Sequence, residues 1–267
     1  MELQIVKSVS IAGIAAQLRA LGVREGDVVL AHVSFRAVRP VEGGPQGLIE
    51  ALHLAVGPCG TIVMPSWGGV FDQPFEPTSS AVAAQLGAVA ASFWRLPGAL
   101  RSSTPFAFAA RGPAAASILS GGLMLPPHQP DSPVGKVVSH DGRILLLGLN
   151  HDSNTTLHLA ESLAGVPYEQ RMRLRVFEQR TPVEREYFES RHCFRLFARA
   201  DAWMDEAGLQ ASGQVGNARA RLMRARDLVD VVVDRLRRDP FSFLHLPDSD
   251  CAACNQAWRS VAGGLCP

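Results

Sequence analysis

His158 and Glu161 stand three residues apart in RILLLGLNHDSNTTLHLAE (Arg143 to Glu161), a spacing that puts an imidazole and a carboxylate on one helical face. An imidazole titrates near neutral pH, and a carboxylate beside it fixes the ring and stabilises its charged form, so the pair suits a general base. The same residues also admit a structural reading. A histidine on a helix is often a packed core residue, and His151, Asp152 and the threonines can serve only as turn and cap groups.

A second group of residues could bind metal. Cys251 and Cys254 form a Cys-x-x-Cys, the spacing that brings two thiolates to one tetrahedral zinc, and Cys193 beside His192 would complete a closed structural site. His128, His245 and Cys266 compete with His192 for the fourth place, and a reduced thiol pair or a disulfide is the alternative. Cys59, inside Gly-Pro-Cys-Gly, reads as a turn residue.

The elements around the histidine explain how it would be positioned. Ile144 to Leu149 is a short apolar run of the kind that fills a strand buried on both faces. Asn150 to Asn154 supplies turn formers, Asn154 or Thr155 can cap, and Thr156 to Leu163 reads as helix. A polar cluster thus sits at the carboxyl end of a buried strand, where open α/β sheets bind ligands. Upstream, the pattern predicts a helix over Ile11 to Leu21, a strand over Asp27 to His32, a helix over Leu48 to Val56 and a strand over Thr61 to Met64, the rhythm of a parallel-sheet protein. Pro65 to Pro77 reads as a functional loop, followed by a helix over Ala81 to Leu96, a strand at FAFAA and a proline-rich loop from Pro126 to Pro133. Beyond the histidine, helices are expected at Glu189 to Glu206 and Arg219 to Arg238. With no linker between the halves, the reading is one domain over residues 1–267, with a helical, cysteine-containing carboxyl-terminal part over roughly 186–267.

Bulk composition narrows the function. The 267 residues are 47% hydrophobic and 19% charged, which describes a globular chain with a sizeable core. Lys and Arg number 26 against 25 Asp and Glu, so there is no basic excess to attract a nucleic-acid backbone. The amino terminus lacks a signal-peptide pattern and no apolar run approaches the ~20 residues of a membrane span, so a cytoplasmic protein without membrane partners is expected. Five cysteines, an odd number, speak against a disulfide framework.

Four ordered segments then match a known family. AHVSFRAVRP (Ala31 to Pro40), GPCGTIVMPSW (Gly57 to Trp67), RSSTPFAFAARGP (Arg101 to Pro113) and LLLGLNHDSNTTLHLAE (Leu145 to Glu161) resemble the aminoglycoside 3-N-acetyltransferases, and EYFESRHC with the late Cys-x-x-Cys extends the likeness to nearly the whole chain. The resemblance is closest to the type IV branch, which acetylates apramycin. It implies an α/β fold with a central, mostly parallel sheet flanked by helices and a helical carboxyl-terminal elaboration. It also implies acetyl-CoA as co-substrate and transfer to an amine of the 2-deoxystreptamine ring, conferring antibiotic resistance.

By that likeness His158 is the catalytic base and Glu189 a carboxylate near the reacting amine, with Glu161 holding the imidazole. Ser34, Phe35, Arg36 and Val38 match the segment that meets the coenzyme, where backbone amides and a guanidinium suit pyrophosphate, and Ser102 and Ser103 are candidates for the same cleft. A polycationic acceptor needs carboxylates, for which Asp72, Glu76, Asp152 and Glu186 are available, with Trp67 as a wall for a sugar ring. Phe71 and Arg191 stand where type IV members tend to carry acidic residues, and Thr104 where a histidine is common. A less cationic acceptor is therefore a second expectation, and a non-catalytic binding protein a third that the intact His158–Glu161 pair disfavours.

Overall fold

The computed structural model describes residues 8–68 and 73–263. Helix α1 (Ile11–Leu21) is opened by the Ser10 hydroxyl, which accepts from the Gly13 amide at 3.0 Å, and is closed by Gly22 in the left-handed region. Strand β1 (Val28–Val33), the single turn α2 (Phe35–Val38), helix α3 (Gly44–Val56) and strand β2 (Thr61–Pro65) follow. Next come α4 (Gly87–Phe93), β3 (Leu100–Arg101), β4 (Phe108–Arg111), α5 (Ala115–Leu119) and α6 (Pro133–Ser139). Strand β5 (Arg143–Leu147) then delivers the chain to α7 (Thr156–Ala164). The rest comprises β6 (Gln170–Glu178), β7 (Thr181–Glu189), α8 (Arg199–Glu206), β8 (Gln210–Val215), β9 (Ala218–Arg224), α9 (Ala225–Arg238) and α10 (Ala252–Gly263).

Seven strands form one sheet in the order β3-β4-β2-β1-β5-β9-β8. The β2–β1–β5 centre is parallel and both margins are antiparallel. Alternation along the strands sends Val29, Ala31, Ile62, Leu145 and Leu147 to a core beneath α1, α3 and α4, and Leu30, Val63, Ile144 and Leu146 to a core beneath α5, α6, α7 and α9. Each such Val, Leu or Ile side chain, wholly withdrawn from water, contributes about 1.5–3 kcal/mol of transfer free energy. Helices thus cover both faces, as expected for this class. No helix among the described residues is long and apolar enough to cross a membrane.

Three expected elements differ. Residues 218–224 form β9, not the start of a helix, because ARARLMR pairs with β5 on one side and β8 on the other, and α9 begins only at Ala225. The charged stretch from Gln170 to Glu189 is an antiparallel hairpin whose alternating Arg and Glu side chains pair across the strands, Arg171 and Arg173 with Glu186 and Arg173 with Glu184. The helix expected over Glu189 to Glu206 is confined to a 3-10 turn at Arg195–Ala198 and to α8 (Arg199–Glu206). The helix expected over 81–96 is shorter, its α-helical part being Gly87–Phe93. The carboxyl-terminal region therefore adds two strands to the main sheet as well as helices.

Candidate functional site

The turn from β5 to α7 is tightly fixed. Gly148 has φ +71° and lies so close to Ala37 that an added Cβ would sit 2.6 Å from that side chain, which only glycine avoids. Beyond it, the Asn150 side chain accepts from the Asp152 amide at 2.7 Å and Asn154 Oδ1 from the Thr156 amide at 3.1 Å, so the Asn154 side chain performs the cap. His151 is fully buried. Asn154 Nδ2 donates to its Nδ1 at 3.1 Å, which leaves its Nε2–H to donate to Gln210 Oε1 at 2.9 Å. It is thus a neutral strut between this turn and β8, and burial holds its pKa below the usual imidazole range. His32, near the carboxyl end of β1, reaches Thr155 Oγ1 with Nε2 at 3.4 Å, and burial lowers its pKa to about 3.

On this platform His158 Nδ1 lies 3.3 Å from Glu161 Oε2. Glu161 is fully buried, and its carboxylate is the hub of the site. Tyr168 donates its hydroxyl to Oε1 at 2.8 Å, His192 donates from Nε2 to the same oxygen at 2.8 Å, and the Ser190 hydroxyl approaches Oε2 at 3.3 Å. The Phe194 amide donates to His192 Nδ1 at 3.1 Å, so His192 is a neutral imidazole whose one N–H is committed to Glu161. Burial alone would raise the Glu161 pKa, but hydrogen bonds from His158 and His192 outweigh it and hold the pKa at about 2. The same surroundings push the Tyr168 hydroxyl far up, through burial first and the neighbouring carboxylate second, so it remains a donor.

The His158 ring is clamped by Phe194 and Phe197, edge-on at 4.8 and 5.1 Å, and stacks on His128 at 5.2 Å. With Nδ1 committed to Glu161, Nε2 has no protein partner among the described residues and serves a cleft of about 300 Å³. Its walls include His128, Glu169, Glu189, Arg191 and Phe194. Glu189 is raised above the usual carboxylate range by burial, although Arg191 Nη1 lies 3.6 Å from its Oε1.

A second cavity, about 710 Å³, opens at the carboxyl ends of β1 and β2, lined among others by Ser34, Phe35, Arg36, Arg39, Leu149 and Ser153. The β1–β5 turns therefore wall one cavity while α7 presents His158 to the other. Not every expected contact survives. The Ser34 amide donates to Leu147 carbonyl oxygen at 2.9 Å and is not free for a phosphate, and Val38 is buried in the core. Ser102 lines a small pocket beside His128, and Ser103 one beside Phe75 and the hairpin tip, so neither shares the Ser34 cavity.

The expected acceptor residues also scatter. Trp67 packs edge-on against Phe108 in the core, Glu76 and Asp152 are exposed away from the cleft, and Glu186 is held ionised by Arg171 on the hairpin. Phe71 and Asp72 lie outside the described residues. Among the described residues, the proposed carboxylates that line the cleft are Glu161 and Glu189, joined by Glu169 and Tyr168, which the sequence did not single out, and by His128, which it offered only as a metal ligand. Nothing in PPHQP or VPYE signalled them, because loops far apart in sequence bring them together.

The cysteines do converge, with one change of partner. Cys193, His245, Cys251 and Cys254 place their ligand atoms within 4.8 Å of one another. His192 is excluded because its ring is turned to Glu161, and His245 takes the fourth place with Nδ1 3.4 Å from both Cys193 and Cys254 sulfurs. The Cys193–Cys254 sulfur separation of 3.7 Å is too long for a disulfide and close to the ~3.8 Å edge of a tetrahedral zinc–thiolate site. Cys266 lies outside the described residues.

The helix-covered sheet thus carries a buried carboxylate that orients an imidazole on the wall of one cavity, with a second cavity at the carboxyl ends of β1 and β2. The family model "Aminoglycoside 3-N-acetyltransferase" matches residues 30–237. The chain is 53% identical to aminoglycoside N(3)-acetyltransferase IV of a Salmonella species over 237 residues, 89% of this chain and 91% of that one. It superposes with a TM-score of 0.94 and 50% identity on a histidine-to-alanine mutant of aminoglycoside acetyltransferase AAC(3)-IVa in complex with a gentamicin, covering 97% of this chain and 100% of that one. The corresponding apramycin complex gives 0.87 and 48%, over 95% and 100%. AAC-IIIb with CoASH gives 0.78 and 25%, over 87% and 97%. The chain belongs to the aminoglycoside 3-N-acetyltransferase family.

Proposed function

We propose that this enzyme transfers the acetyl group of acetyl-CoA to the 3-amine of the 2-deoxystreptamine ring of aminoglycosides such as gentamicin and apramycin, with His158 as the base. The observation that carries this reading is the Glu161-anchored His158, whose free Nε2 faces one cavity while the turn that launches its helix walls the other. The acceptor amine is largely protonated at neutral pH and must lose a proton before it can attack. His158 Nε2 takes that proton, and Glu161 stabilises the imidazolium across Nδ1. Attack by the neutral amine forms the nitrogen–carbon bond and collapse of the oxyanion breaks the carbon–sulfur bond; of the two protons the original ammonium gives up, one passes by way of His158 to the departing thiolate and the other to solvent. Arg36, Arg39 and Ser34 side chains suit the coenzyme's phosphates in the larger cavity, and Glu189 lies beside the acceptor amine.

Cys193, His245, Cys251 and Cys254 hold one structural zinc, which ties α10 to the segment after the hairpin. The protein works in the cytoplasm, where acetyl-CoA is made, and protects its host from the antibiotic. A second reading, a less cationic acceptor, is favoured by Arg191 in the cleft. Release of coenzyme A measured over gentamicin, apramycin and a non-aminoglycoside amine separates the two. His158→Ala should lower turnover by roughly 10²-fold or more while coenzyme binding and cooperative melting persist. Near-normal turnover in that folded variant would remove the assignment of the base.

A further inference from the structure

Among the described residues, four charged side chains other than histidine line the acceptor cleft, namely Glu161, Glu169, Glu189 and Arg191. Three of them are already engaged. Both Glu161 oxygens are taken by the hydrogen bonds of His158, Tyr168, Ser190 and His192. Glu189 faces the Arg191 guanidinium at 3.6 Å. Glu169 is exposed at the rim and makes no ion pair among the described residues. Its backbone is nevertheless fixed, because the preceding Tyr168 is fully buried and its own amide donates to Ser260 Oγ of α10 at 3.2 Å.

We infer that Glu169 binds an ammonium group of the acceptor, one beside the amine that reacts, and so supplies the negative charge that Arg191 cancels at Glu189. The inference rests on the aminoglycoside reading above. An ammonium entering this cleft meets one carboxylate spent on the base, one paired with a guanidinium and one anchored but unpaired. Coulombic preference sends it to the last, since binding there displaces no existing ion pair.

Steady-state kinetics with gentamicin as acceptor test this. Glu169→Gln should raise KM about two- to fivefold, the size of a partly solvated ion pair, with the loss carried by KM and not by kcat. The difference between wild type and variant should shrink as salt rises, and Glu169→Asp should recover part of it. In an Arg191→Ala background, where Glu189 is released, the same substitution should cost less. An unchanged KM in Glu169→Gln, with the wild type acetylating gentamicin, overturns the inference while the assigned activity stands. A fall in kcat alone also overturns it, because Glu169 would then act through Tyr168 and the base. Failure of the wild type to acetylate any aminoglycoside overturns both.

Discussion

Replacing Glu161 by Gln tests the arrangement of the site most directly. Oε1 receives two donors, Tyr168 O–H and His192 Nε2–H, and His192 cannot reverse because its Nδ1 already accepts from the Phe194 amide. The glutamine must therefore place its carbonyl oxygen there and its NH₂ at the Oε2 position, facing Ser190 and His158 Nδ1. Ser190 can accept, but His158 is forced to accept at Nδ1 and to carry its proton on Nε2, the nitrogen that should take the amine's proton. A wrong tautomer of this kind costs about 10⁴-fold in serine-protease triads, so turnover should fall by roughly 10³- to 10⁴-fold, about 4–5 kcal/mol of barrier. Acceptor-dependent release of coenzyme A measures it. A companion effect appears in stability. A pKa held at about 2 instead of 4.5 adds on the order of 3 kcal/mol, present above pH 4.5 and lost as pH falls through 2, so the wild-type melting temperature should drop in that window and that of Glu161→Gln should be flatter. Turnover within tenfold of wild type in a folded Glu161→Gln protein would refute the tautomer argument.

Two further outcomes are expected. Protein purified without chelator should contain about one zinc per chain by elemental analysis, and Cys254→Ser should lower both metal content and melting temperature; metal-free protein whose native thiols all react freely would contradict this. Arg191→Asp should lower KM for a polycationic aminoglycoside by about two- to fivefold, less so at high salt, and unchanged kinetics would place Arg191 outside the acceptor's reach.

The layered α/β architecture was readable because buried parallel strands announce themselves as short apolar runs, as Ile62 to Met64 and Ile144 to Leu147 do. The His158–Glu161 pair was readable because helical spacing is a local property. What sequence concealed was non-local or locally ambiguous. The hairpin from Gln170 to Glu189 carries a strand's alternation, with Met172, Leu174 and Val176 turned inward between exposed Arg171, Arg173 and Arg175, but most of its side chains are exposed and its charges dominate the pattern. His192 and Cys193 were read as one ligand pair from adjacency, but the segment between β7 and the 3-10 turn is not helical, and neighbours in such a segment turn to opposite sides. One therefore reaches Glu161 and the other the cysteine cluster. Glu169 and His128 belong to separate loops whose meeting place only the fold defines.

Ser153, on the wall of the larger cavity, and His158, on that of the smaller, are separated by five positions of a capped turn and helix. Each α-helical residue turns the chain by about 100°, so an insertion or deletion between the cap and His158 would swing its imidazole out of the cleft. That stretch is closed to length variation. Besides α7 and the segment from it through Glu169, the cleft beside His158 is walled mainly by the end of the β6–β7 hairpin and by the loop around His128, neither of which lies in the seven-stranded sheet. On the assignment proposed above, substitutions in these peripheral segments change the acceptor while His158, Glu161 and the cavity beside Ser34 are inherited unaltered, so a new acceptor need not be reached through an inactive ancestor.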